Sequence, residues 1–108
     1  MRGLSERALG GSFVVEITGH LVVEADYVEG AAARREPHRQ EHLERVRKLG
    51  AEGTLVLAGG FEDMRSSLLV FTLTDEEAVA GIIESDVYWR EGIWTDYRIR
   101  KLNAVPVR

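Results

Sequence analysis

Few side chains in this sequence can move a proton near neutral pH. There are three histidines and no cysteine, so thiolate chemistry is absent and imidazole is the natural acid or base. His42 stands out by its spacing. His38, His42, Val46 and Leu49 recur at i, i+4, i+8 and i+11 beside Leu43, a stripe that puts His42 on the inward face of a helix one turn before Val46. At a cleft such a histidine takes or gives a proton, and a carboxylate on its other nitrogen sets its tautomer. The alternative is a histidine that packs and hydrogen-bonds inside the core.

Other groupings also carry two readings. His38-Arg39-Gln40-Glu41-His42 matches the H-x-x-E-H pattern of inverted zinc proteases. That chemistry needs a further distant ligand and a cleft built by a larger chain, so the segment reads as a charged, solvated helix start, with no metal site expected. Tyr27, Tyr88, Trp89 and Trp94 suit the walls of a pocket for a flat or cyclic molecule, and equally suit a core or subunit interface. Arg98 and Arg100 alternate along one segment. They could hold a substrate carboxylate, or pair across strands with Asp96, Glu24 or Asp26. Asp86, just before an aromatic turn, suits a helix N-cap or Asx turn. Gly59-Gly60 is too short to cradle a phosphate and suits a hairpin loop.

The elements that must position these residues follow from periodicity. Ser12 to Thr18 and Leu21 to Val28 alternate in the manner of strands, with Leu21, Val23, Ala25 and Tyr27 on one face and Val22, Glu24 and Asp26 on the other. Gly19 is expected to bend or bulge the chain between them. From Ala31 to Glu52 the period becomes helical, and Gly53 fits the left-handed residue that ends such a helix. Thr54 to Ala58 and Ser67 to Thr72 should form a hairpin around Gly59, Gly60 and Asp63. Thr74-Asp75-Glu76-Glu77 is a capping-box pattern with Thr74 as the cap, opening a helix through Ala78, Val79, Ile82 and Ile83. A turn from Ser85 to Gly92 then leads to a last strand, Ile93 to Leu102. After residue 20 the order is β-α-β-β-α-β, a ferredoxin-like α+β arrangement with both helices on one face of an antiparallel sheet.

Composition limits what this scaffold can be. With 108 residues there is room for one domain of modest core, and 44% hydrophobic with 30% charged residues is a globular balance. Apolar runs are broken by Glu16, Glu24 and Glu84, well short of the roughly 20 residues of a spanning helix, so no membrane partner is expected. Met1 to Gly11 lacks the apolar core of a secretory signal, and with no cysteine the expected compartment is the cytoplasm. The net charge of -4 and the scattered basic residues exclude a phosphate-tracking stripe, so nucleic acid is not an expected partner. The strands carry apolar side chains on both faces, Val22 against Val23, and Leu68 and Val70 against Leu69 and Phe71. Two such sheets packed together would bury the second face, which makes a homodimer the expected assembly.

Two blocks resemble a known family. His42-Leu43, Gly50-Ala51-Glu52-Gly53, Leu55, Leu57 and Ala58-Gly59 look like the first helix and second strand of YciI-like proteins. Asp86-Val87-Tyr88, Glu91-Gly92-Ile93 and the run through Arg98, Ile99 and Lys101 are similar to that family's Asp-Pro-aromatic turn and final strand. Together the blocks cover about residues 20 to 103. Val87 departs from the family's proline, and Gly60 from a proline often found after Ala-Gly. Residues 1–18 have no counterpart and read as an extension, either an added edge strand or an over-long start, with the domain proper over 19–108.

The resemblance implies a dimeric α+β barrel, and it implies a catalytic pair that maps onto His42 and Asp86. On that basis the expected function is a small, cofactor-free lyase or isomerase that moves a proton next to a carbonyl in a small organic acid or lactone. His42 would be acid or base and Asp86 its orienter, with Tyr27, Tyr88 and Arg98 binding substrate. The other expectation is a non-catalytic, dimeric binding or accessory module of the same fold.

Overall fold

Alternating β-branched residues make the longest interior run of the chain a strand, and the rest of the sheet assembles on it. The computed structural model describes residues 5–8 and 13–107. Two short strands, β1 (Ser5–Ala8) and β2 (Phe13–Glu16), pair with each other, antiparallel. The core strand β3 (Thr18–Tyr27) follows, then a short helix α1 (Ala31–Arg34), a 3-10 turn (Glu36–His38) and α2 (Arg39–Ala51). The hairpin β4 (Leu55–Gly60) and β5 (Ser66–Phe71) leads to α3 (Glu76–Glu84), α4 (Val87–Arg90) and β6 (Trp94–Ala104). Strand order is β4-β5-β3-β6, all antiparallel, which is the expected ferredoxin-like α+β sheet. Among the described residues no helix is long and apolar enough to cross a membrane.

Leu21, Val23 and Ala25 of β3, with Leu69 and Phe71 of β5, are buried on one face of the sheet. Val79 and Ile83 of α3 and Val87 of α4 complete that core, and Val46 and Leu49 of α2 pack against it. Each such side chain contributes roughly 1.5–3 kcal/mol on removal from water, so the face that receives the helices is settled by this set.

Several local expectations are corrected. The predicted helix from Ala31 to Glu52 is interrupted, because Pro37 lacks the N–H that an uninterrupted helix needs and disfavours helical backbone at Glu36. Gly19 does not bend the chain. It lies inside β3 opposite Asn103, and the irregularity falls instead between Asp26 and Tyr27. The cap of α3 is Asp75 rather than Thr74, with its carboxylate accepting from the Glu77 N–H at 2.9 Å. Gly59 and Gly60 belong to β4, so the loop is the shorter segment after them. The added edge strand is absent from the four-stranded sheet: β2 pairs with β1 alone.

The end of α2 matches the expectation closely. Gly53 has φ 78°, its N–H donates to the Gly50 carbonyl, and the Thr54 N–H donates to the Leu49 carbonyl, each at 3.0 Å. This pair of bonds satisfies the last carbonyls and turns the chain into β4. Gly53→Ala is expected to lower unfolding free energy by about 1–2 kcal/mol in urea denaturation, because a Cβ is strained at positive φ. Unchanged stability would show that the turn relaxes without its left-handed residue.

Candidate active site

His42 is the one buried residue of α2, carried inward with Val46 and Leu49. Facing it is Asp86, where α3 ends and α4 begins. The carboxylate of Asp86 caps α4, accepting the Tyr88 N–H at 2.8 Å. The same group meets His42 Nδ1 at 2.9 and 3.1 Å through its two oxygens. Both residues are buried, Asp86 at 4% exposure and His42 at 9%. A carboxylate only accepts, so Nδ1 carries the proton in this contact and Nε2 is left for chemistry.

Further contacts hold α2 against this turn. Arg45 donates to the Ile82 carbonyl at 2.9 Å and to Ser85 Oγ at 2.7 Å, and its guanidinium lies 3.6 Å from Asp86. Arg90 pairs with Glu41 at 3.0 Å. Tyr88 stacks flat on the His42 ring, centroids 3.8 Å apart and planes 8° from parallel. Trp94 then meets both rings edge-on, 5.3 Å from His42 and 5.5 Å from Tyr88. The imidazole is thus fixed by one hydrogen bond at its edge and two aromatic neighbours.

His42 lines a cavity of about 150 Å³. Its walls come from α2 (Arg39, Leu43, Val46), from β4 and β5 (Gly59, Gly60, Ser67, Leu69), and from Tyr27, Arg35, Tyr88 and Trp94. A Cβ on Gly60 would come within 2.8 Å of the Tyr27 hydroxyl, so the absence of a side chain there lets Tyr27 reach the wall. Arg35 donates to that hydroxyl at 3.4 Å and sits over the Tyr27 ring. Burial pushes the Tyr88 phenol above the usual tyrosine range, with Arg35 and Arg39 opposing and Tyr27 and Asp86 reinforcing. At neutral pH the phenol is therefore a donor.

Of the residues singled out from sequence, His42, Asp86, Tyr27, Tyr88 and Trp94 come together here. Trp89 does not: it packs edge-on against Tyr97. Arg98 does not either. It lies on the opposite face of the sheet and clamps Asp26 through two bonds of 2.9 and 3.2 Å, with Glu24 at 3.4 Å, so it is unavailable to a molecule beside His42. Hydrogen bonding from Arg98 holds the Asp26 carboxyl below its ordinary range. His38 is turned toward Glu91, with 4.0 Å between them, while His42 is taken by Asp86. Among the described residues no group of His, Cys, Asp or Glu side chains is arranged to hold a metal.

Sequence reasoning passed over Arg35, Arg39, Arg45 and Ser67. A signal was present. Arg35, Arg39, His42 and Val46 fall at i, i+4, i+7 and i+11, so the inward stripe runs through the arginines rather than through His38.

The model of the YCII-related domain matches residues 20–103 of the chain. Among solved structures, the chain is similar to 5-chloro-2-hydroxyhydroquinone dehydrochlorinase from Burkholderia phenoliruptrix in complex with 2,5-dihydroxybenzoquinone. The TM-score is 0.63 at 18% identity, over 75% of this chain and 90% of that one, which is a likeness of fold. No curated protein matches the sequence. With the family match spanning most of its length, and the same fold in the dehydrochlorinase, the chain belongs to the family of YCII-related domains.

Proposed function

We propose that the protein is a small-molecule enzyme of the lyase or isomerase type that works by proton transfer, with His42 as base and acid and Asp86 as the residue that orients it. The observation that carries this reading is the His42–Asp86 pair, bonded at 2.9 Å and set in the wall of a cavity. Nε2 would take a proton from the carbon next to a carbonyl, leaving an enolate. Asp86 would steady the imidazolium so formed. The proton then returns at another atom, which is isomerisation, or the enolate expels a leaving group from the adjacent carbon, which is elimination. The name of the similar dehydrochlorinase describes loss of hydrogen chloride from a chlorinated hydroxyhydroquinone, which is an elimination overall. Tyr27 and Tyr88 would line the substrate's ring, and no step needs a cofactor.

We also propose a homodimer formed through the open face of the sheet. Leu57 is exposed there, across from Val70, and Val22 and Leu68 on the same face are only half-buried. A soluble monomer rarely leaves such a surface to water. Light scattering at micromolar concentration is expected to return twice the mass of the chain, and a monomer mass would overturn this assembly.

Exchange tests the chemistry. In deuterium oxide, wild-type protein with monocyclic hydroxyquinones, lactones and keto acids is expected to exchange the hydrogen next to the carbonyl in at least one compound. His42→Asn should slow that exchange about 10²–10⁴-fold, with circular dichroism showing that the variant is folded at the assay temperature. Asp86→Asn should also slow it, but less, because the base remains while its tautomer is no longer set. Exchange at the wild-type rate in His42→Asn, or none in any compound, would leave only a binding module.

A further inference from the structure

Four polar atoms buried in the described structure have no hydrogen-bond partner, and all four belong to residues that line the His42 cavity: Ser67 Oγ, Tyr88 OH, Trp94 Nε1 and Arg35 Nε. Ser67, Tyr88 and Trp94 are themselves 4%, 1% and 2% exposed. Leaving a buried donor unpaired costs about 1–3 kcal/mol, so three or four of them around one cavity are expensive unless something bound there satisfies them. Their chemistry is one-sided. The indole N–H and the guanidinium N–H only donate, and the phenol and the serine hydroxyl can do so. Arg39 adds a second guanidinium to the lining, and no carboxylate lies among the lining residues.

We infer that this cavity binds a single small anion rich in acceptor oxygens, a one-ring or short-chain carboxylate or enolate whose charge lies toward Arg35 and Arg39 and whose inner oxygen meets Ser67, Tyr88 and Trp94. Size sets the first limit: about 150 Å³ is the volume of a cavity that takes one benzene ring. Polarity sets the second. Arg35 and Arg39 are half-buried members of the lining, where a guanidinium fork matches a carboxylate or enolate edge, while Ser67, Tyr88 and Trp94 are fully buried members of it. A cation would meet two positive charges, and a hydrocarbon would leave every inner donor unpaired. The inference rests on the reading of the cavity as the substrate site and adds what that substrate must carry. It also assigns Trp94 and Ser67 as specificity-determining residues and moves anion recognition from Arg98 to the Arg35–Arg39 pair.

Calorimetric titration with three ring probes tests this without turnover: benzoate, nitrobenzene with the same oxygens and no charge, and benzamidinium with donors and positive charge. Benzoate is expected to bind at least about tenfold more tightly than benzamidinium, with nitrobenzene between them. The double variant Arg35→Gln/Arg39→Gln should weaken benzoate about tenfold and leave nitrobenzene nearly unchanged. Ser67→Ala and Trp94→Phe should each weaken both oxygen-bearing probes about threefold or more, and if Trp94→Phe lowers Tm, Ser67→Ala decides the point. Benzamidinium binding as tightly as benzoate, a double variant that binds benzoate normally, or no benzoate binding at about 10 mM would each overturn the assignment. His42→Asn separates the two readings. Undiminished exchange in that variant, with benzoate still bound by the wild-type protein and weakened in the arginine double variant, would sink the catalytic role of His42 and leave the anion site standing.

Discussion

One buried carboxylate organises the functional end of this molecule. Asp86 is almost wholly removed from water, and an ionised group in that position is tolerable only when donors surround it. Its donors come from two separate elements: the Tyr88 N–H from the first turn of α4, and the His42 imidazole from α2, with the Arg45 guanidinium close by. Satisfying the charge therefore fixes α2 against the α3–α4 turn. The carboxylate that accepts from the histidine is the same one that caps a four-residue helix, so the His42 contact and local folding share one group. A helix that short has little stability of its own, and without the cap the aromatic ring stacked on His42 would lose its anchor.

From this bond outward the site is built by aromatic packing. Tyr88 is held by its own N–H to Asp86 and in turn covers the face of His42; Trp94 closes the edge of both rings. On the β4 side, Gly60 leaves room for the Tyr27 hydroxyl to approach the strand. Packing has been arranged around the cavity at a cost in unpaired donors. Such local violations of good internal hydrogen bonding are expected where a protein binds something, and are difficult to explain as features of a core.

Much of this was legible in sequence, for reasons that differ between elements. β3 and α3 could be read because their periodicities are those of a strand with one buried face and of an amphipathic helix. Gly53 could be read because only a positive φ requires a glycine there. The inward position of His42 followed from Val46 one turn later, but its partner could not be reached by spacing: 44 residues separate it from Asp86, and only the resemblance joined them. Arg98 was misassigned because alternation along β6 says which face a residue occupies and nothing about what lies on that face. Arg35 and Arg39 escape a reading that draws the inward stripe through His38, although their spacing to His42 and Val46 is already in the sequence. The unpaired donors had no sequence signature, since an unmet hydrogen bond is a property of three dimensions.

The two faces of the sheet divide the work. Toward the helices, β3 presents Leu21, Val23 and Ala25, and by the same alternation Tyr27 enters the cavity wall. On the other face the same strand presents Glu24 and Asp26 to Arg98, with Ser66 donating to Glu24 at 3.0 Å. These ion pairs are exposed, so they add little to stability in water. Arg98 is held to the strand face by two carboxylates, and on that face Val22, Leu68 and Val70 are half-buried while Leu57 is exposed. One face thus carries exposed ion pairs among half-buried apolar side chains, whereas the other bears the core and the His42 cavity. Because β3 contributes to both, a strand register shifted by one residue would exchange their side chains and abolish both surfaces at once.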